Sequence, residues 1–143
     1  MARTDRAKRV DPAQSDNYAE VGRRLILAGR AMLERADTRH ASALAILAVH
    51  AVIAYVDALC VHLGGRKSAS ADHHAAVRLL RSFMGSQLPS ATERSLLRVL
   101  SEKDRFEYQG YVATMTEAQQ LFARSETLAT WAEGVLTSVR RSH

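Results

Sequence analysis

The chain has 143 residues, of which 47% are hydrophobic, so it is long enough for one domain with a substantial core. Its single cysteine excludes a disulfide framework, and the first fourteen residues lack the apolar segment of a secretory signal, so we expect a cytoplasmic protein. The net charge is +5, with seventeen Arg and three Lys, which mildly favours a polyanionic partner. An Arg-rich composition also occurs without such a partner.

Apolar residues recur at helical spacing, and no useful length of the chain alternates with the period of two that a strand requires. We therefore predict an all-α, up-and-down bundle of about five helices and no strands. The bundle is expected to occupy residues 15–143 as a single domain, preceded by a flexible basic tail at residues 1–14. The predicted helices cover residues 16–36, 41–63, 72–84, 90–102 and 117–140.

Signals for the helix ends support these predictions. Ser70 precedes the third helix as a candidate cap, and Ser90 with Glu93 forms a capping box at the fourth. Thr114 with Glu117 forms a second capping box before the last helix. The connector GGRKSAS between the second and third helices is expected to be flexible and basic.

The segment ASALAILAVHAVIAYVDALCVHL, residues 41–63, is apolar on nearly every side. A helix with this surface either crosses a membrane or forms the centre of a bundle. Three ionisable residues, His50, Asp57 and His62, would be costly within a bilayer, and small alanines suit close helix packing. We therefore predict a buried core helix and no membrane span. Cys60, in the same helix, is expected to be a packed core thiol.

Two polar residues in this helix are expected to be buried. His50 and Asp57 are seven residues apart, so they lie on one face about two helical turns from each other. A buried carboxylate requires a partner, and an Arg of the first helix or Arg105 is the predicted one. The pattern fits a core ion pair that fixes helix register, and it also fits a site carboxylate.

Two polar segments are candidate ligand sites. Adjacent residues on a helix point about 100° apart, so His73 and His74 at the start of the third helix cannot clamp one metal ion. We predict no metal and interpret His73 and His74 as binding or acid–base groups. In KDRFEYQG, Lys103, Arg105 and Tyr108 are typical of a grip on phosphate or a base, although the aromatic rings could instead seat a turn against the core. No phosphate-binding glycine loop is present in the sequence, and no cofactor is predicted.

The order of these features resembles the HEPN superfamily of small helical bundles. An Ala-rich helix with His50 and Asp57 is followed by a glycine-bearing connector, then Asp72-His73, then Arg105-Phe-Glu-Tyr108 before a Thr-capped helix. The resemblance covers roughly residues 15–140. It implies a bundle that often forms a homodimer, with roles linked to RNA or nucleotides, frequently in toxin–antitoxin or defence systems.

Active HEPN ribonucleases use an Arg and a His separated by four to six residues, without a metal ion. Arg105 has no such His, so the sequence is similar to a catalytically inactive member. Arg35 with His40 and Arg66 with His73 do have the spacing, but chance gives about two such pairs in this composition.

Three hypotheses follow from the resemblance and the residues. The first is a non-catalytic module that binds RNA, a nucleotide or a partner protein through Lys103, Arg105, Tyr108, His73 and His74. The second is a metal-independent ribonuclease with Arg66 and His73 as its catalytic pair. The third is a purely structural dimeric interaction protein. A nucleotidyltransferase is the expected partner in a toxin–antitoxin pair.

Overall fold

The long apolar helix Ala41–Gly64 lies at the centre of the fold, and the other helices pack around it. The computed structural model describes residues 6–35 and 37–138, and these confirm the predicted all-α bundle, with a small two-stranded sheet added. In chain order the elements are β1 (Ala7–Arg9), α1 (Ser15–Arg35), α2 (Ala41–Gly64), β2 (Arg66–Ser68), α3 (His73–Met84), α4 (Ser90–Ser101), α5 (Lys103–Glu107) and α6 (Met115–Ser138).

Neighbouring elements cover most of the surface of α2, which is apolar on nearly every side. Its buried positions follow one another almost without a break from Val49 to Val61. By length and composition alone this helix would pass as a membrane span, with a mean hydropathy of 2.3, yet 83% of that apolar segment is buried inside the bundle. The helix is therefore a core element, as its alanine content predicts.

Two glycines allow α1 to approach the core closely. A Cβ atom at Gly22 would lie 2.7 Å from Cε2 of Tyr55 in α2, and one at Gly29 would collide with the ring of Phe122 in α6. Both rings are buried, so neither has open space into which it can shift. The aromatic side chains therefore fix the distance between α1 and its two neighbours.

Polar pairs give the directions of the outer helices. Arg23 Nε donates to Glu133 Oε1 at 2.7 Å and Arg30 Nε donates to Glu126 Oε2 at 2.8 Å, so α1 and α6 are antiparallel. In the interior, the hydroxyl of Ser125 in α6 donates to the carbonyl of Ala48 in α2 at 3.0 Å. That buried hydroxyl thus has the partner that its desolvation requires.

Helix α3 runs in the same direction as α2, which interrupts a strict up-and-down order. The thiol of Cys60 donates to the carbonyl of Ala76 at 3.7 Å, and Phe83 covers Gly64, one turn further along α2 and two turns further along α3. The chain reverses between the two helices through β2 instead of a simple loop. Burial raises the pKa of the Cys60 thiol to about 12, which agrees with the predicted core role.

The two strands form an antiparallel ribbon, the β1–β2 ribbon, that the sequence did not predict. Ala7, Lys8 and Arg9 pair with Ser68, Lys67 and Arg66 in that order. The ribbon begins where α2 ends at Gly65, whose φ of 63° suits glycine, and Val10 N donates to the Gly65 carbonyl at 2.9 Å.

The ribbon corrects two predictions at once. Residues 7–9 form a strand and residues 12–14 a single helical turn, so the expected flexible tail is wrong for this part of the chain. Residues 66–68 form the second strand where a flexible connector was expected. Residues 1–5, the remainder of the predicted tail, lie outside the described residues.

The helix ends agree with the sequence in part. Thr114 Oγ1 accepts from Glu117 N at 3.1 Å and Glu117 Oε1 accepts from Thr114 N at 3.0 Å, so the last capping box is confirmed. The box at Ser90 is wrong, because Pro89 is the capping residue and Glu93 instead pairs with Arg81.

Two further boundaries differ from the predictions. Asp72, and not the predicted Ser70, caps α3 by accepting from His74 N at 3.0 Å. Ser70 Oγ instead accepts from Asp72 N, before the helix begins. Lys103–Glu107 is a short helix, not a turn. The predicted end of the last helix, near residue 140, lies outside the described residues.

Candidate functional site

Six polar side chains form a surface cluster, named the polar groove below: His50 of α2, His73 and His74 of α3, and Lys103, Glu107 and Tyr108 at α5. Short helix α5 packs on α2 and brings Glu107 to His50, whose Nε2 hydrogen-bonds Glu107 Oε1. The other carboxylate oxygen of Glu107 accepts from Lys103 Nζ at 2.8 Å. Glu107 therefore joins α2 to the cationic side of the groove.

Charge compensation holds Glu107 ionised although it is only 14% exposed. Burial alone would raise the pKa of Glu107, but the hydrogen bonds from Lys103 and His50 outweigh it and lower that pKa. The same hydrogen bond raises the pKa of Lys103. The pair therefore stays charged over the physiological range, with its ammonium fixed in position.

The two histidines at the start of α3 border this cluster. Burial lowers the pKa of His73, and the nearby positive charge of Lys103 lowers it further. Both effects favour the neutral imidazole of His73, which can accept a proton at one ring nitrogen. His74 Nε2 lies 3.2 Å from the Ser101 hydroxyl of α4, which fixes its ring at the edge of the groove.

Tyr108 is the exposed aromatic side chain of the groove. Its side chain is 70% exposed, and Lys103 Nζ lies 4.7 Å from the centre of its ring and 3.2 Å from its hydroxyl. A cation held against an exposed ring is an arrangement that accepts a base by stacking and a phosphate by charge.

Arg105 lies away from the polar groove. Its guanidinium donates to Glu102 at 3.1 Å and to Glu117 at 2.6 Å, and it stacks over the ring of Tyr111 at 4.1 Å. It lines a separate cleft of about 180 Å³ between α4 and α6. The structure thus brings Lys103, Tyr108, His73 and the other groove residues together, but not Arg105.

Asp57 has a partner other than the predicted arginines. Lys67 Nζ of β2 lies 3.9 Å from its carboxylate, which is 13% exposed. Burial raises the pKa of Asp57 to about 6, and the charges of Lys67 and Lys8 oppose that rise. The prediction of Arg105 or an α1 arginine is wrong because the chain places a lysine of the unpredicted ribbon at this carboxylate.

The structure places Arg66 and His73, the predicted catalytic pair, on two different parts of the fold. His73 borders the polar groove, whereas Arg66 is an exposed residue of β2 whose strand partner is Arg9. Within residues 6–35 and 37–138, no group of three His, Cys, Asp or Glu side chains is arranged to hold a metal ion.

Sequence reasoning missed the structural role of Glu107 and the position of Arg9. Glu107 follows Lys103 by four residues, a spacing that pairs opposite charges on a helix. The Lys103–Glu107 ion pair could therefore have been predicted from the sequence. Its contact to His50, 57 positions away, carried none. Comparison of the chain with protein families, with curated proteins and with solved structures finds no match.

Proposed function

We propose that this protein is a HEPN-like, non-catalytic RNA-binding module. In this proposal one nucleotide of a single-stranded RNA binds in the polar groove. The observation that carries the proposal is the exposed ring of Tyr108 beside the fixed ammonium of Lys103. Single-stranded RNA is bound by proteins through base stacking on aromatic rings together with cations along the backbone. In this interpretation Tyr108 stacks on a base, while Lys103 and the His74 edge face its phosphate.

Binding is tested with a labelled single-stranded RNA of about 12 nucleotides in EDTA, measured by fluorescence anisotropy. Loss of one stacked base costs about 1–3 kcal/mol, so Tyr108→Leu should weaken binding about tenfold. Tyr108→Phe keeps the ring and should bind like the parent. Val112→Ala, which alters a neighbouring side chain that is 79% exposed, is the matched surface control. Equal RNA affinity of Tyr108→Leu and the parent protein would refute the polar groove as the RNA-binding site.

A metal-independent ribonuclease is the second candidate, favoured by the neutral imidazole of His73 near the ammonium of Lys103. Such an imidazole is suited to accept the proton of an attacking hydroxyl while a cation faces the phosphate. The same RNA, incubated in EDTA and resolved by gel electrophoresis, tests it. Cleavage that His73→Ala abolishes would replace the non-catalytic proposal.

The module is further proposed to act as a homodimer or with a protein partner, such as a nucleotidyltransferase of a toxin–antitoxin pair. Two exposed apolar side chains of α1, Val21 at 53% and Leu27 at 67%, support an interface on this helix. Light scattering after size exclusion measures the mass directly. A monomer at every concentration, unchanged by Leu27→Glu, would refute the dimer on this helix.

A further inference from the structure

The β1–β2 ribbon places like charges directly opposite each other twice in succession. Lys8 faces Lys67 and Arg9 faces Arg66 across the antiparallel register. Opposed residues of such a pair share one face of the ribbon, with Cβ atoms about 5 Å apart, and like charges there repel. Negative charge near either pair would reduce this repulsion.

The inner face obtains that charge from the protein itself. Lys67 Nζ lies 3.9 Å from the Asp57 carboxylate and 5.6 Å from the centre of the Tyr18 ring. The charge of Lys8 also acts on Asp57. The Asp57 carboxylate thus places negative charge beside the lysine pair.

The outer face has no such compensation. Successive strand residues point to opposite faces, so Arg9 and Arg66 point away from Asp57. Both are exposed, and neither guanidinium forms an ion pair or side-chain hydrogen bond with another residue in the described part of the chain. They flank an open depression next to Gly64 and Gly65, where Asp11 supplies the one nearby carboxylate.

Asp11 is already engaged in the local backbone. Its Oδ1 accepts from Ala13 N at 3.0 Å and caps the turn Pro12–Gln14. The two exposed guanidinium groups are therefore accessible to a bound anion. A phosphate group presents several acceptor oxygens and so satisfies two guanidinium forks at once, whereas a single carboxylate fits one.

From this geometry we infer that Arg9 and Arg66 form a phosphate-binding site on the outer face of the β1–β2 ribbon. Its ligand is a phosphoryl group, either of an RNA backbone or of a free polyphosphate. If the proposed function holds, the site acts as a second anchor for RNA beside the polar groove. The site itself depends only on the ribbon and does not require the groove.

Affinity for the same RNA and for inorganic polyphosphate is measured as a function of salt concentration for Arg9→Gln/Arg66→Gln. The site takes one phosphoryl group, so its loss should reduce the slope of log affinity against log salt by about 0.7 and weaken binding about fourfold at 0.15 M salt. Arg35→Gln/Arg94→Gln removes the same charge from exposed positions elsewhere and is the matched control.

The outcomes separate this site from the proposed function. Weaker binding of both ligands by the ribbon variant alone supports the site. If the parent protein binds polyphosphate but not RNA, and the ribbon variant loses the polyphosphate binding, the phosphate site is supported and the RNA-binding proposal is refuted. If Tyr108→Leu weakens RNA binding but the ribbon variant does not, the phosphate site is refuted and the RNA-binding proposal is supported.

Two further results overturn the inference. An equal loss in the control double variant would show that net charge alone is responsible. Competition by polyglutamate as effective as competition by polyphosphate would show that the arginines select negative charge in general. Arg9→Lys/Arg66→Lys retains the charge without the forks and is expected to bind at an intermediate level.

Discussion

The carboxylate of Asp57 is expected to destabilise the fold at neutral pH, and Asp57→Asn tests this. The side chain is 13% exposed, and its nearest cation, Lys67 Nζ, is 3.9 Å away, which is too far for a hydrogen bond. Burial consequently outweighs the attraction of Lys67 and Lys8 and raises the pKa of Asp57 to about 6. In the unfolded chain the same group ionises near 3.9, as an exposed aspartate does.

The sign of the effect follows from these two pKa values. Because the folded-state pKa of Asp57 lies above the unfolded one, folding favours the protonated form. Its contribution to stability is fully present below pH about 4 and is lost as the pH rises through about 6. The gap between the two pKa values corresponds to about 3 kcal/mol. Asn is neutral at every pH, so the variant should be the more stable protein by about 2–3 kcal/mol at pH 7.5.

Urea unfolding between pH 4 and pH 8 measures the difference in free energy of unfolding between parent and variant. The difference should be near zero at pH 4 and should grow between pH 4 and pH 7. Asp104→Asn, at an exposed position of α5, is the control. Its difference in free energy of unfolding from the parent should not grow between pH 4 and pH 7. A parent protein that is more stable than Asp57→Asn at pH 7.5 would refute the reasoning.

Two further substitutions test the packing and the capping. Gly22→Ala places a methyl group 2.7 Å from the buried ring of Tyr55 and should lower the free energy of unfolding by about 1–3 kcal/mol. Gly134→Ala, with open space around it in α6, should raise it by up to about 1 kcal/mol; a similar loss in both would contradict the packing argument. Thr114→Ala should cost about 1 kcal/mol while Thr114→Ser retains stability, with both measured by thermal unfolding.

The sequence was most informative where structure depends on neighbouring residues. The apolar surface of α2 identified the core helix because most of that surface packs against other elements. Thr114 and Glu117 identified the start of α6 because a capping box closes within four residues. Ser90 and Glu93 have the same pattern, but there the long-range partner Arg81 takes the glutamate.

Long-range pairing explains what the sequence did not reveal. The β1–β2 ribbon joins segments that are both highly charged and about sixty residues apart, so neither has the alternating apolar pattern of a strand. Asp57 could be predicted to need a cation, but only the ribbon determines that the cation is Lys67. The polar groove is similar, since His50 meets Glu107 through the packing of α5 on α2.

The distance along the chain between β1 and β2 has a consequence for the order of folding. Closing a loop of about sixty residues costs chain entropy that three ribbon pairs recover only after α1 and α2 have docked. The ribbon should therefore assemble late and be the first unit to detach in native conditions. Amide hydrogen exchange at Val10 and Ala69, which donate to Gly65 and Arg6, would then report this partial opening well before the helices exchange.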